Sequence, residues 1–419
     1  MTGTDSAGRV LLLVPTTSYR IGDFLEAAQK LDIDVAVGSS DQDVLERLSR
    51  GQALGLDLAD LEAGVGRIFE YARRHPLAAI LAVDQETTVL AARAAQALGL
   101  PHNPPDAVAA AGDKYRFRAA LANSGLNVPR FTRHSTDEEA RRAARRTAYP
   151  CVLKPLALSA GRGVIRADDE VSFVAAFHRI KDILASPDAA QPGDAGDYIL
   201  VEDYIPGAEV SLEGLLEDGR LRTLALFDKP DPLEGPYFEE TIYVTPSRLP
   251  AETQRAVAAA TETALGSLGL RDGPIHAEIR INDKGAWVIE IAARSIGGLC
   301  ARSLSFGAGV ALEELILGHA LGLSVGAAER EEDAAGVMMI PIPGAGVLDG
   351  VDGITEARAV PGIEDVTITI PLGQDVVPLP EGFRYLGFIF AKGSAPEAVE
   401  AALRQAHARL SFAITPAAD

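Results

Sequence analysis

Apolar positions gather first at 9–15, RVLLLVP, a short run that predicts a strand ending at a turn. The period then changes. IGDFLEAAQKL spaces its apolar residues three and four apart, as a helix does, and IDVAVGSS reads as a second strand. LAAILAVD predicts a third strand and TTVLAARAAQALGL the helix after it. Strands alternating with helices predict a doubly wound parallel sheet over the first ~110 residues. The turn after the first strand is VPTTSYRIGD, so the dinucleotide fingerprint G-x-G-x-x-G is absent. Asp84 and Glu86 fall just past a strand's carboxyl end, where such sheets bind ligands.

The pattern breaks at PHNPPDAVAAAGDKYRFRAALANSGLNVPRF. A proline-rich loop leads to a short helix, then to a second helix opened by Asp113. Phe117 and Leu121 share a face of that helix and Gly125 supplies its stop. YPCVLKP reads as a strand, with Pro155 biasing Lys154 to extended geometry. The small-residue loop SAGRGV could wrap a phosphate with backbone N–H groups while Lys154 neutralises another oxygen. It lacks the GK[ST] of a Walker A loop. DYILVEDYIPGAEVSLEGLLEDGRL reads as strand, crossing segment, strand. Glu202 at the end of an apolar strand could hold an adenine amino group, and Glu209 ribose hydroxyls. An acidic solvated loop is an equally open reading of those two residues.

The strongest alternation lies at 273–298, GPIHAEIRINDKGAWVIEIAARSIGG. Two strands flank Asp283-Lys284-Gly285, an order that suits a three-residue hairpin with a left-handed glycine. That loop pairs Asn282 with Ala286, Arg280 with Val288 and Glu278 with Glu290, placing the two carboxylates about 5 Å apart at Cβ. Like charges directly opposite each other destabilise a sheet. A shared proton, a neighbouring arginine or a divalent cation would relieve the conflict. Arg280 and Arg294 share the parity of the acids, so a salt-bridged surface face also remains open.

Composition narrows the class. With 419 residues, 47% hydrophobic and 23% charged, the chain predicts two to four globular domains. A formal charge of −20 disfavours nucleic acid and anionic membranes as partners, though a local cationic cluster can still hold an anionic ligand. Cys151 and Cys300 lack metal-ligand spacing and read as reduced thiols of a cytoplasmic protein. MTGTDSAGR shows no signal pattern, no apolar run reaches membrane-spanning length, and the only biased patch lies near 187–197.

Taken in order, DKYRFRAALANSGLNVPRF, CVLKP with SAGRGV, VEDYIPGAEVS, FDKPDPLEGPYFEETIYVTPS and HAEIRIN…VIEIAARSIGG resemble the ATP-grasp superfamily. Within it the chain is most similar to carboxylate–amine ligases of the L-amino-acid ligase type. The resemblance implies an α/β and α+β multidomain protein of ATP-grasp fold. It divides into a Rossmann-like amino-terminal domain at 1–112, a lid subdomain at 113–200, an antiparallel-sheet grasp core at 201–325 and a small β-rich extension at 326–419. No chemistry is expected from the extension.

The resemblance also implies roles. Lys114 matches the lysine at the nucleotide phosphates, Lys154 the strand lysine that bridges phosphate and adenine, Gly161, Arg162 and Gly163 the phosphate-covering loop, and Glu202 with the backbone to Ile205 the adenine hinge. Glu209 matches the ribose acid, Glu278 and Glu290 the metal carboxylates, and Arg294 the arginine at the acyl phosphate. Glu240 and Tyr243 match positions at an amino-acid substrate. Ala292 stands where many relatives carry asparagine, which leaves the metal one protein ligand fewer. The implied cofactors are ATP and Mg²⁺, with Mn²⁺ as an alternative. The implied partners are a small-molecule acid and amine, with room for a homodimer and none for nucleic acid or membrane. The implied activity is ATP-dependent amide formation through an acyl phosphate, releasing ADP and phosphate. A carboxylase or nucleotide-biosynthesis ligase of the same superfamily, and a non-catalytic ATP-binding module, are the alternatives.

Overall fold

The computed structural model describes residues 8–15, 18–40, 53–189, 193–307, 309–325 and 329–416. The first seven residues, and 190–192 of the biased patch, lie outside them. The amino-terminal part alternates β1 (Arg9–Leu13), α1 (Ile21–Lys30), β2 (Val35–Ser39), β3 (Ala53–Gly55), α2 (Leu61–Arg74), β4 (Leu77–Ala82) and α3 (Thr88–Leu98). Its four strands form a parallel sheet in the order β3-β2-β1-β4, as the alternation predicts, with the short β3 added. Leu11 and Leu13 pack on one face and Val10 and Leu12 on the other, so β1 reads as an unbroken apolar run.

Two short helices, α4 (Pro105–Gly112) and α5 (Lys114–Leu121), carry the chain onward. Asp113 caps α5 by accepting from the backbone N–H of Tyr115 and Arg116, which fixes where Lys114 begins the helix. The lid follows: β5 (Phe131–Ser135), α6 (Ala140–Ala144), β6 (Cys151–Pro155), β7 (Ile165–Ala167), α7 (Glu170–Leu184) and β8 (Tyr198–Asp203). Its strands pair antiparallel in the order β5-β8-β6-β7.

The central sheet is built from β9 (Ala208–Glu217), β10 (Arg220–Asp228), β11 (Ile242–Thr245), β12 (Gly273–Asn282), β13 (Gly285–Ala292) and β14 (Ala334–Ile340), with α8 (Ala251–Leu268) and α9 (Leu312–Leu321) against it. On α8, Val257, Ala260, Thr261, Ala264, Leu265 and Leu268 make one buried stripe that packs with Ile275, Ala277 and Ile279 of β12. The other face of β12, with His276, Glu278 and Arg280, is thereby turned to the functional side. The chain finishes with β15 (Gly346–Asp352), α10 (Ile354–Arg358), β16 (Ile363–Ile368), β17 (Asp375–Val376), β18 (Gly387–Gly393), α11 (Pro396–His407) and β19 (Ser411–Thr415). β14, β18 and β16 extend the central sheet to eight strands, β13-β12-β9-β10-β11-β14-β18-β16, and β17-β15-β19 form a small sheet beside it. Among the described residues no helix is long and apolar enough to cross a membrane.

The hairpin departs from expectation in register. Asn282 pairs with Gly285, Ile281 with Ala286, Arg280 with Trp287 and Ile279 with Val288, one residue out of step with the predicted pairs. A β-bulge then shifts the ladder, and Glu278 stands opposite Glu290. Gly285 is left-handed, φ +105°, as the turn requires. Without the bulge, Ile289 would face Glu278, and Glu290 would point to the core. With it, Val288 and Ile291 both enter the core while Ile289 and Glu290 both line the functional side.

Candidate active site

One cleft of about 250 Å³ lies where the amino-terminal part, lid, central sheet and carboxyl-terminal extension meet. Lys114, Lys154, Gly161, Glu202, Ile205, Glu209, Glu240, Tyr243, Glu278, Glu290 and Arg294 all line it, as do Asp84 and Glu86. Arg162 and Gly163 do not. The Arg162 guanidinium turns away, pairing with Asp188 (2.9 Å) and lying over the Phe383 ring. Gly161 and Gly163, at φ +69° and +70°, shape the loop instead.

At one end, the Glu202 carboxylate is enclosed by Arg118 (2.8 and 3.2 Å) and Lys154. Burial opposes its ionisation, but Arg118 and Lys154 win and hold its carboxyl down to about 2. Burial likewise lowers the Lys154 ammonium against the pull of Glu202. Glu202 thus holds Lys154 in place while itself lining the cleft. The Ile205 carbonyl accepts from Arg280 Nη1 at 2.7 Å. Glu209 accepts from Arg280 (2.7 Å) and from Lys229 (2.8 Å).

Lys229, like Arg118, is a residue that pattern reading misses. Its ammonium, 3% exposed, also contacts Glu240 and lies 3.4 Å from Glu278. Burial disfavours the charge, yet Glu209, Glu240 and Glu278 together hold Lys229 protonated well above the ordinary lysine range. The same cluster splits its acids. Burial and the neighbouring Glu278 charge push Glu240 up to about 7, whereas Lys229 and His276 overcome burial and keep Glu278 well below the carboxylate range. His276 is itself bound to Glu213, whose other oxygen accepts from the Ile296 N–H at 3.0 Å. The only sequence hint of Lys229 was its place in FDKP beside the acids of YFEETIY.

Oxygen atoms of Glu209, Glu240 and Glu278 lie within 4.8 Å of one another, while Glu290 is 3.5 Å from Lys114. Buried Lys229 already balances the first three, so an added cation is better served where Glu278 and Glu290 open on the cleft, 21% and 34% exposed. Hard carboxylate donors suit Mg²⁺ or Mn²⁺. Arg280 answers to Glu209, so the opposed acids are not relieved by the arginine on their own strand.

The extension takes part, against expectation. Phe383, Arg384 and Tyr385 line the cleft. Their loop also grips the lid: the Gly163 N–H donates to the Pro380 carbonyl (2.9 Å), and Arg179 of α7 forks onto Glu381. The amino-terminal part is tied in by Arg20, fully buried, which bonds the Val83 carbonyl (3.0 Å), Ser295 Oγ (2.7 Å) and Glu313.

Comparison with known proteins agrees with this architecture. Residues 25–102 match the ATP-grasp N-terminal domain, 147–303 the ATP-grasp domain, and 338–415 the L-amino acid ligase C-terminal domain 2. The crystal structure of an L-amino acid ligase from Bacillus licheniformis superposes with a TM-score of 0.83 at 26% identity, covering 98% of this chain and all of that one. Alanine–anticapsin ligase of Bacillus subtilis strain 168 is 31% identical over 221 residues, 49% of this chain and 46% of that protein. An uncharacterised protein of Sinorhizobium fredii is 21% identical over 421 residues, 99% of this chain and 85% of that one. The chain spans about half the length of the alanine–anticapsin ligases it matches. Ordered motifs, an eight-stranded grasp sheet beneath a four-stranded lid, and a ligase-type extension lead to one assignment: the chain belongs to the ATP-grasp superfamily, with the carboxylate–amine ligases of the L-amino-acid ligase type.

Proposed function

We propose that the protein is an ATP-dependent ligase that joins the carboxylate of an amino acid, or a similar acid, to an amine through an acyl phosphate, releasing ADP and phosphate. The observation that carries the reading is the opposition of Glu278 and Glu290 across β12 and β13, facing the cleft that Lys114, Lys154 and Arg294 also line. Lys114 and Lys154 neutralise the nucleotide's phosphates, with the loop at Gly161 beside them. Glu278 and Glu290 would hold Mg²⁺ or Mn²⁺, which would supply positive charge beside the transferring phosphoryl group. The donor carboxylate oxygen takes the γ-phosphoryl group, which makes its carbonyl an electrophile. The amine then attacks that carbon, loses a proton, and phosphate leaves.

Arg294 has one hydrogen bond, Nη1 to the Ser295 carbonyl at 2.8 Å, and no ion pair among the described residues. It is therefore free to stabilise the oxyanion of the tetrahedral intermediate. Closure of the lid over the bound nucleotide would exclude water that otherwise hydrolyses the acyl phosphate. Glu240 and Tyr243, which line the same cleft, would receive the amino group of an amino-acid substrate.

The test is a screen of amino-acid pairs for ATP-dependent phosphate release. Turnover should need both an acid and an amine, and Glu290→Gln should abolish it while leaving the fold intact. Wild-type turnover in Glu290→Gln at ordinary Mg²⁺ would remove the metal assignment.

A further inference from the structure

We propose that Arg384 receives a second, non-reacting carboxylate on one of the substrates, and so selects acid-bearing partners; this rests on the ligase reading above. Most cations that line the cleft already have a carboxylate partner: Lys114 has Glu290, Lys154 has Glu202, Arg280 has Glu209 and His276 has Glu213. Two guanidinium groups do not, those of Arg294 and Arg384. Arg294 is accounted for by the reacting carboxylate. Arg384 is not accounted for by the reaction at all.

Arg384 is half-buried on the loop before β18. Its Nε donates to the Tyr19 hydroxyl at 3.2 Å, and neither Nη atom has a hydrogen-bond or ion-pair partner among the described residues. Eight carboxylates line the same cleft, and Arg384 is paired with none of them. Ser18, Tyr19, Phe383 and Tyr385 line the cleft with it. A guanidinium held by Tyr19 at Nε presents its free edge as a fork, the geometry that binds a carboxylate through two parallel hydrogen bonds. Partial burial strengthens such bonds relative to water. The carboxylate can come from a side-chain acid on the donor or from the α-carboxylate of an amino-acid acceptor. The chemistry at Arg384 is the same in both cases.

The experiment uses the full chain with ATP and Mg²⁺ in two arms. In the first, hydroxylamine replaces the amine and the donors are aspartate and glutamate against asparagine and glutamine, read as hydroxamate. In the second, the donor is fixed and the acceptors are L-amino acids against their amides, read as product by mass spectrometry. One arm should show a preference for the acid-bearing partner. Arg384→Gln should raise the KM for that partner by about 10- to 100-fold, the worth of a charged hydrogen bond, and erase the preference. Arg384→Lys, which keeps charge but loses the fork, should fall between. The KM for ATP and the thermal midpoint report whether either variant is merely misfolded. No preference in either arm, or a preference that survives Arg384→Gln in a folded variant, overturns the proposal. Absence of ATP-dependent hydroxamate with any donor would instead overturn the ligase reading, and this proposal with it.

Discussion

Two buried charges in the site act on stability as well as on chemistry. Glu202 is held at about 2, below its ordinary value near 4.5, by Arg118 and Lys154. A carboxylate lowered on folding contributes stability above its unfolded pKa and loses it as pH falls towards the folded value. The contribution here is about 3 kcal/mol at neutral pH, lost between roughly pH 5 and pH 2. The stability gap between wild type and Glu202→Gln, measured by urea unfolding, should therefore narrow by about 1 kcal/mol between pH 7 and pH 3.5. A constant gap would show that the Arg118–Glu202–Lys154 contact is not what holds Glu202 charged. Lys229 works in the opposite sense. Removing it as Lys229→Met leaves Glu240 without a cation partner and takes one from Glu209 and Glu278, at a cost of about 3–5 kcal/mol. Without nucleotide, Mg²⁺ should raise the thermal midpoint of Lys229→Met more than that of wild type. Equal responses would mean the acids do not share a field open to a cation. Sequence reading found Glu202 and Glu278 because strand parity and motif order mark them. It missed Arg118 and Lys229 because their partners are 84 and up to 49 residues away, and only the fold brings them together.

Element by element, legibility followed periodicity. The alternation in β12 did place Ile275, Ala277 and Ile279 in the core and His276, Glu278 and Arg280 towards the cleft. The hairpin's carboxylate pair was reached by a three-residue loop, whereas the chain uses an earlier register and a bulge before Glu290. Both routes shift the ladder by one residue, and a bulge inside an apolar run such as WVIEI leaves no mark on composition. The loop at 378–385 belongs to the extension, from which no chemistry was expected, and its contact with the lid is something no local pattern encodes. Arg179 and Glu381 are about 40% exposed, so their pair contributes under about 1 kcal/mol to stability. Glu381→Ala should thus leave the thermal midpoint nearly unchanged while raising the KM for ATP and speeding amide hydrogen exchange at residues 159–164. Unchanged exchange there would show that the extension does not steady the glycine loop.

For the whole molecule, the order of parallel sheet, lid and antiparallel core was legible from the alternation of strands and helices and from motif order. The continuity of the central sheet through β14, β18 and β16 was not, because strand pairing across that distance leaves no local trace. That continuity is what brings Arg384 and Tyr385 to the same cleft as Glu278 and Arg294. Arg20 joins the third side, fastening the end of β4 and the Arg294 loop to α9. The cleft is thus walled by every part of the chain, as a reaction with a water-sensitive intermediate requires. The central claim is that the donor's carboxylate oxygen passes through an acyl phosphate, and isotope transfer tests it most directly. With ¹⁸O in the donor carboxylate, amide formation should release ADP and inorganic phosphate carrying one ¹⁸O for each amide bond made. Label in AMP, or phosphate that stays unlabelled while amide accumulates, would contradict it.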